Sequence, residues 1–524
     1  MPYQSSGGRR NNVQLGVGRS VWGGTPAPAI PEQTLDGIPG CLAWLALLLS
    51  IISAIAFPRA LLLIAACIGF YSAIRFLFAG IANVRGLRLI RQWERTDWFE
   101  KYQQDAPENA LDWEAVHHLV IVPNYKEPVE ILEKTLQNLA GQRDARQRMS
   151  VVLAMEAAEE GCVEKAEHLV RGYRQCFKNL FFTVHPRGLP GEMQCKSSNE
   201  AWAARWGKRK LVDEMRIDID RIVVTTQDAD TLWHRDHFYA LTYLFATTPE
   251  RYLRFWQAPI RYHTNIWEIN PLLRIVNAYS TAFELAYLAA PWWIPMPMSS
   301  YSLSLKLLDV SGYWDGDVIA DEWHMFIKAY FVREGQVKLD RVFLPFSATA
   351  VTGETLWQAI KNRYQQTLRH AWGSKEVGYI VAKMLEHPEV EFGTSFKLLF
   401  RVAHDILLAG AGWIILTAGA QLPLVFNPSL LGQVVQEGFS NPSYALINLS
   451  FVLVSILGIV FWYQDVIVRP PRPRPMTLRE RVYTLLSFPL LPILTLIFVA
   501  VPTLQAQTRL LMGIPLRFQV SKKL

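Results

Sequence analysis

The chain has 524 residues, enough for more than one domain, of which 51% are hydrophobic and only 19% charged, below the roughly 25% of average soluble proteins. Its net charge of +7 comes without any nucleic-acid-binding signature. Cys41, Cys67, Cys162, Cys176 and Cys195 form no CxxC pair and no ligand spacing, so no disulfide framework is read and free thiols are expected.

Residues 1–37 are rich in Gly, Ser, Pro, Asn and Gln and carry Arg9, Arg10 and Arg19. This is the composition of a flexible basic tail, too polar for a signal peptide. Residues 38–83 read as a transmembrane hairpin. The stretch 38–57 holds no charge and suits one bilayer crossing; Pro58-Arg59 breaks it, and 60–82 follows with Arg75 alone. Arg85, Arg88, Arg91 and Arg95 come next, so both ends of the hairpin are expected in the cytoplasm.

The next strong apolar runs are 406–426 and 445–463, inside a segment 396–464 read as two transmembrane helices. Their connection, 427–444, has no Lys or Arg, whereas residues 465–482 form a basic, Pro-rich loop, "VRPPRPRPMTLRER". The charge asymmetry therefore places residues 84–395 in the cytoplasm. Pro489, Pro492 and Pro502 interrupt the last apolar run, and a single crossing there would export Arg509, Arg517, Lys522 and Lys523. Residues 483–524 are thus expected to hold a re-entrant or interfacial segment with a cytoplasmic C-terminus. The tract 272–294, with Arg274, Asn277, Glu284 and the pair Trp292-Trp293, suits an interfacial amphipathic segment.

Within residues 84–395, short apolar runs at 119–122, 149–155, 180–184 and 221–226 alternate with helical patterns at 129–139, 164–177 and around 199–206. Such alternation predicts an α/β domain with a mostly parallel sheet, whose ligands sit at the carboxyl ends of strands. Asp228 and Asp230 in "TTQDADTLWHRD" stand at one such end. As a fragment they read either as a metal-binding pair or as the polar turn that closes a strand. Gln257-Ala258-Pro259 reads either as part of an acceptor path or as a structural turn. His324 reads as a hydrogen-bonded histidine rather than a metal ligand.

"PNYKE" after the first strand, "KSSN" after a Gly-rich loop, "DAD" after the fourth strand, "ADEWH" and "QQTLRHAW" occur in that order. In this the chain resembles membrane-embedded family 2 glycosyltransferases, the group that contains cellulose and hyaluronan synthases. The resemblance covers about residues 120–372 and the flanking membrane segments. It implies an α/β GT-A (Rossmann-like) cytoplasmic domain combined with an α-helical transmembrane region, in the inner or plasma membrane. It implies inverting transfer from a nucleotide sugar, UDP-linked, with Mg²⁺ or Mn²⁺. Pro123, Tyr125, Glu127, Glu156, Lys196, Asn199, Asp228 and Arg369 are the donor-binding positions it implies, and Asp230 with Asp228 the metal position. Gln366, His370 and Trp372 fall at the acceptor motif, where His370 replaces the family's Trp. The family writes its base as Glu-Asp; this chain reads Asp321-Glu322, so Glu322 is the base if the register is ungapped and Asp321 if it slips by one. Phe518, Val520, Ser521 and Lys523 fit the family's F-x-V-T-x-K gating loop.

Q-x-x-R and the terminal motif favour a growing polysaccharide as acceptor, with a homo-oligomer or secretion partner. Transfer of one sugar to a polyprenyl phosphate or other lipid is the alternative. A nucleotide-binding regulatory subunit of a transporter is a reading from another class, and the spans carry little of the intramembrane charge that would mark a transport path. A metal-dependent phosphotransferase is another, and the chain has no P-loop.

Overall fold

A computed structural model describes residues 32–516. After a short helical turn, Glu32–Asp36, come two long helices, α1 (Ile38–Ala56) and α2 (Pro58–Trp93), joined at Phe57. The second runs well past residue 82, because Asn83, Gly86 and Ile90 recur at helical spacing and form one buried face. Among the described residues, five helices are long and apolar enough to cross a membrane: Thr34–Ala56, Pro58–Trp93, Phe392–Phe426, Pro442–Val466 and Leu491–Leu511.

Between the second and third of these lies a seven-stranded mixed sheet, ordered β3-β2-β1-β4-β7-β5-β8. The strands are β1 (His117–Pro123), β2 (Met149–Glu156), β3 (Asn179–His185), β4 (Ile222–Thr226), β5 (Arg254–Gln257), β7 (Tyr301–Ser304) and β8 (Lys338–Arg341). A small parallel ladder of β6 (Ile260–Arg261) and β9 (Phe346–Ser347) stands beside it. β1 pairs in parallel with β2 on one side and β4 on the other, Val120 lying across from Val151 and from Thr225. In the parallel half, β1, β2 and β4 are buried on both faces, which is why they read as apolar runs. Leu119 and Ile121 join Val152, Val224 and Ala204 in one core, while Val120 and Val122 join Leu132, Leu136 and Leu169 in the other.

The helices between the parallel strands are α3 (Val129–Ala140), α4 (Cys162–Tyr173) and α5 (Lys196–Lys208). The sheet is less parallel than expected. β7 runs antiparallel to both β4 and β5, and these strands escape a hydropathy reading because each is four residues long and interleaves polar side chains (RFWQ, YSLS, KLDR).

Among the later helices, three bear on the site: α6 (Pro271–Ala289), α7 (Asp321–Val332) and α8 (Leu356–Ala371). α6, expected along an interface, is clamped between the domain and the apolar helices. The Phe283 ring lies 4.9 Å from Phe76 of α2 and 5.3 Å from Phe461 of the Pro442–Val466 helix, and Asn83 Nδ2 donates to the Ala282 carbonyl at 2.8 Å. A Cβ on Gly86 would stand 2.6 Å from Leu285 Cδ1 and 3.1 Å from Ala289 Cβ. Gly86→Val is therefore expected to force α2 off α6 and cost about 1–3 kcal/mol, read as a lowered thermal midpoint of the detergent-solubilised chain.

The last apolar run breaks at residues 488–490 and then continues as the Leu491–Leu511 helix. Pro492 lies in that helix's first turn, where its missing N–H is tolerated. Pro502 follows a π-turn at Leu496–Ala500, which accommodates it. This helix lies against both α1 and α8: Trp44 Nε1 donates to Thr508 Oγ1 at 2.9 Å and Tyr364 Oη to Gln505 Oε1 at 2.7 Å.

Candidate active site

The strand order reverses between β1 and β4, since the chain builds β2 and β3 on one side of β1 before returning to the other. At their carboxyl ends a cavity of about 470 Å³ opens, where ligands of such sheets bind. Pro123 closes β1, Glu156 closes β2, and Asp228 lies just beyond β4; all three line the cavity. α5 contributes Lys196 and Asn199, α7 contributes Asp321 and Glu322, and α8 contributes Gln366, Arg369 and His370. Tyr125 and Glu127 complete the wall after β1.

Lys196 organises the centre. Its Nζ donates to the Ser299 carbonyl at 3.0 Å and lies 3.0 Å from Asp228 Oδ1, 3.6 Å from Glu200 Oε1, and 3.9 Å from both Asp321 Oδ2 and Glu322 Oε1. Burial opposes this charge, but the four carboxylates outweigh it and hold the ammonium well above the usual lysine range. Asp228 also accepts from Ser299 Oγ at 2.8 Å.

The acidic pair at the start of α7 divides by environment. Asp321 has only 4% of its side chain exposed and shares a hydrogen bond with the buried Glu200; burial pushes it up to about 8, with Lys196 opposing and Glu200 adding. Glu322 keeps 25% exposure and reaches about 7, raised by burial and by Asp321 and lowered by Lys196. Two carboxyls of like charge titrate as a coupled set. Of the pair, Glu322 is the more exposed to the cavity that both line, and the coupled set ionises near neutral pH.

At the carboxyl end of β2, the Glu156 carboxylate is bonded by His185 Nδ1 at 3.2 Å, and His185 Nε2 reaches Glu192 Oε2 at 2.9 Å. Burial disfavours the imidazolium, yet the two carboxylates together raise its pKa. Glu159, which sequence reasoning missed, fixes the turn after β1. Its Oε2 accepts from Lys126 N at 2.7 Å and Asn124 Nδ2 at 3.0 Å, with Lys126 in the left-handed region at φ 61°.

Two expected residues stand outside the wall. Asp230 is buried and its Oδ2 accepts from the Thr349 amide at 2.8 Å; Thr349 rather than Asp230 faces the cavity. Trp372 packs with Leu368, Ala506 and Leu516 and does not line the cavity, whereas His370 does. Desolvation and the guanidinia of Arg369 and Arg363 push His370 down to about 4, keeping it neutral. Phe518, Val520, Ser521 and Lys523 lie outside the described residues, as does most of the basic tail. Gln257 is a structural tie, its Nε2 donating to the Ala258, Met298 and Ser300 carbonyls. His324 is held between Asp315 and Glu376.

Sequence reasoning also missed Tyr262 and Glu284, which line the cavity with Tyr262 Oη donating to Glu284 Oε1 at 3.0 Å. Burial pushes Glu284 up to about 8. Among the described residues no group of three or more His, Cys, Asp or Glu could hold a metal ion alone. Asp228, with 32% of its side chain exposed, offers the hard oxygen donor that Mg²⁺ or Mn²⁺ takes together with substrate phosphates. These residues fit an ion that arrives with a diphosphate.

No protein-family model matches the chain, and no curated protein matches it. Among solved structures, the mannosyltransferase PcManGT from Pyrobaculum calidifontis, in complex with GDP-Man and Mn²⁺, is 16% identical over 77% of this chain and 99% of that chain, at a TM-score of 0.42. S. aureus TarS 1-349 in complex with UDP-GlcNAc is 11% identical over 77% and 94% of the two chains, at a TM-score of 0.31. Likenesses this distant assign neither donor nor reaction, and the functional reading rests on the cavity itself.

Proposed function

We propose that the chain is an inverting glycosyltransferase that moves a hexosyl group from a nucleotide sugar to an acceptor hydroxyl on the cytoplasmic face of a membrane. One observation carries the reading: Glu322, partly exposed and titrating near pH 7, stands with Asp321, Asp228 and Glu200 around the Lys196 ammonium, in one cavity with Arg369 and Gln366. A carboxylate half ionised at neutral pH is matched to general-base work.

In this reading Tyr125, Glu127 and Glu156 receive the nucleoside, with Glu156 held ready by His185 to accept an N–H of the base. Lys196 and Arg369 meet the diphosphate, Arg369 through its planar fork. The acceptor hydroxyl attacks carbon 1 from the face opposite the diphosphate while Glu322 takes its proton. The carbon–oxygen bond to the diphosphate breaks, and the electron pair leaves with the nucleotide. Gln366 and His370 orient the acceptor. Asp228 would hold a Mg²⁺ or Mn²⁺ that neutralises charge on the departing diphosphate, while Asp230, turned to the Thr349 amide, fixes the backbone beside it.

The test gives the purified full-length chain a panel of labelled UDP- and GDP-hexoses with Mn²⁺, Mg²⁺ or EDTA. Turnover of at least one donor, suppressed by EDTA and by Asp228→Asn, is expected. Turnover of none, or turnover indifferent to both, would sink the mechanism. Arg369→Ala should raise the donor KM about ten-fold or more, the worth of a charge-assisted hydrogen bond, as read by nucleotide-release kinetics.

A further inference from the structure

A second cavity, of about 390 Å³, lies between α2, α6 and the Phe392–Phe426, Pro442–Val466 and Leu491–Leu511 helices. Its wall is mainly apolar and aromatic, with Phe76, Tyr279, Phe283, Trp413, Phe451 and Leu491. All of these enclosing helices but α6 are long and apolar enough to cross a membrane. α8 joins the two cavities: Gln366 lines the first, and Arg363, one turn earlier, lines the second.

Arg363 is the unusual group. Its guanidinium donates to Gln366 Oε1 at 2.9 Å and to Ser280 Oγ at 3.2 Å, both neutral, and its Nε is buried with no partner. No acidic side chain among the described residues forms an ion pair with it. Glu284, the acidic neighbour that acts on its charge, is itself pushed up to about 8 by burial and is mostly protonated at neutral pH. Arg75, the other guanidinium in this wall, is already paired with Asp405 at 2.6 Å. A half-buried cation at an apolar wall is costly until an anion meets it, and ionisable groups kept at such depth mark ligand positions.

We propose that this cavity holds the apolar chain of a lipid acceptor, with the lipid's phosphate against Arg363 and its hydroxyl-bearing head reaching past Gln366 to Glu322. The proposal names the acceptor class for the transferase reading above and rests on it. Aromatic rings alone would also suit a glycan strand, but a neutral glycan brings no charge to Arg363. The lipid's hydroxyl oxygen bonds to carbon 1, the bond from carbon 1 to the nucleoside diphosphate breaks, Glu322 takes the proton, and the lipid phosphate is unchanged. A polyprenyl diphosphate sugar and a phosphatidyl polyol both carry this chemistry.

The test uses the full-length chain in detergent with a labelled nucleotide sugar and four separate acceptors. These are a polyprenyl-diphosphate-linked monosaccharide, phosphatidylinositol, diacylglycerol and a soluble oligosaccharide. Label extractable into organic solvent is expected with at least one phosphate lipid, about ten-fold or more above diacylglycerol, and the arm that responds identifies the source. Arg363→Gln should raise the KM for that lipid about ten-fold or more with kcat held within about three-fold, and Arg363→Lys should restore most of the loss. Ser455→Trp, which fills the cavity away from Arg363, should raise the same KM and leave donor binding as it was. Label confined to the oligosaccharide or to high-mass glycan, equal use of diacylglycerol, or an unchanged lipid KM in Arg363→Gln would overturn the lipid assignment alone. A donor neither bound nor hydrolysed in any arm would overturn the transferase reading as well.

Discussion

Glu322→Gln lowers turnover by about 10²- to 10⁴-fold, the range for loss of a general base, while donor affinity stays within about three-fold. The amide keeps the shape of the side chain and cannot take the acceptor's proton. Initial rates with a saturating acceptor, set beside a nucleotide-binding titration, separate the two effects. Asp321→Asn is the control, because Asp321 is buried against Glu200 and reaches the cavity less than Glu322 does. Its main effect falls on thermal stability. Intact turnover in Glu322→Gln together with lost turnover in Asp321→Asn would exchange the two roles. In the wild type, kcat/KM rises with pH through a midpoint near 7, set by ionisation of the coupled pair.

Lys196→Met moves that midpoint up by about a unit or more and weakens donor binding. The ammonium lowers the pKa of both Asp321 and Glu322, so its removal raises them further and leaves the base protonated at neutral pH. A rate profile between pH 6 and 9.5 reads the shift directly. Stability changes in the same window. Both carboxyls titrate above their ordinary range in the folded chain, so the folded state binds more protons than the unfolded one between about pH 4 and 8. The stability they contribute is present at low pH and lost as pH rises through about 7 and 8. Without Lys196 to compensate ionised neighbours, the gap in thermal midpoint between variant and wild type is wider at pH 8.5 than at pH 6. An equal gap at both pH values would show that Lys196 is not the counter-charge of the cluster.

The parallel half of the sheet was legible because strands buried on both faces leave apolar runs, as β1, β2 and β4 do, and the half-buried edge strand β3 still keeps Leu180, Phe181, Phe182 and Val184. β5, β7 and β8 were not, since they are short strands whose pairing is set by tertiary contacts across the sheet. Much of the cavity was legible for a similar reason: strand ends announce themselves, and the polar residues just beyond them converge by topology. Glu200 hides on the same face of α5 as Lys196, four residues on, where it reads as an ordinary helical ion pair. Tyr262, Glu284 and Arg363 hide because their neighbours are remote in sequence. Glu284 sits in an amphipathic run that says nothing of a cavity beside it. For Asp230 and Trp372, motif spacing pointed to the cavity, and local packing turns one to the Thr349 amide and the other to Leu368 and Ala506.

The proposed reaction is direct displacement at the sugar carbon by a hydroxyl that Glu322 deprotonates. The most direct measurement is the anomeric configuration of the transferred sugar, read by proton NMR on product made from an α-linked nucleotide sugar. A β-linked product, lost in Glu322→Gln, is the expected result. An α-linked product, or a donor left intact after prolonged incubation with metal and acceptor, would contradict it.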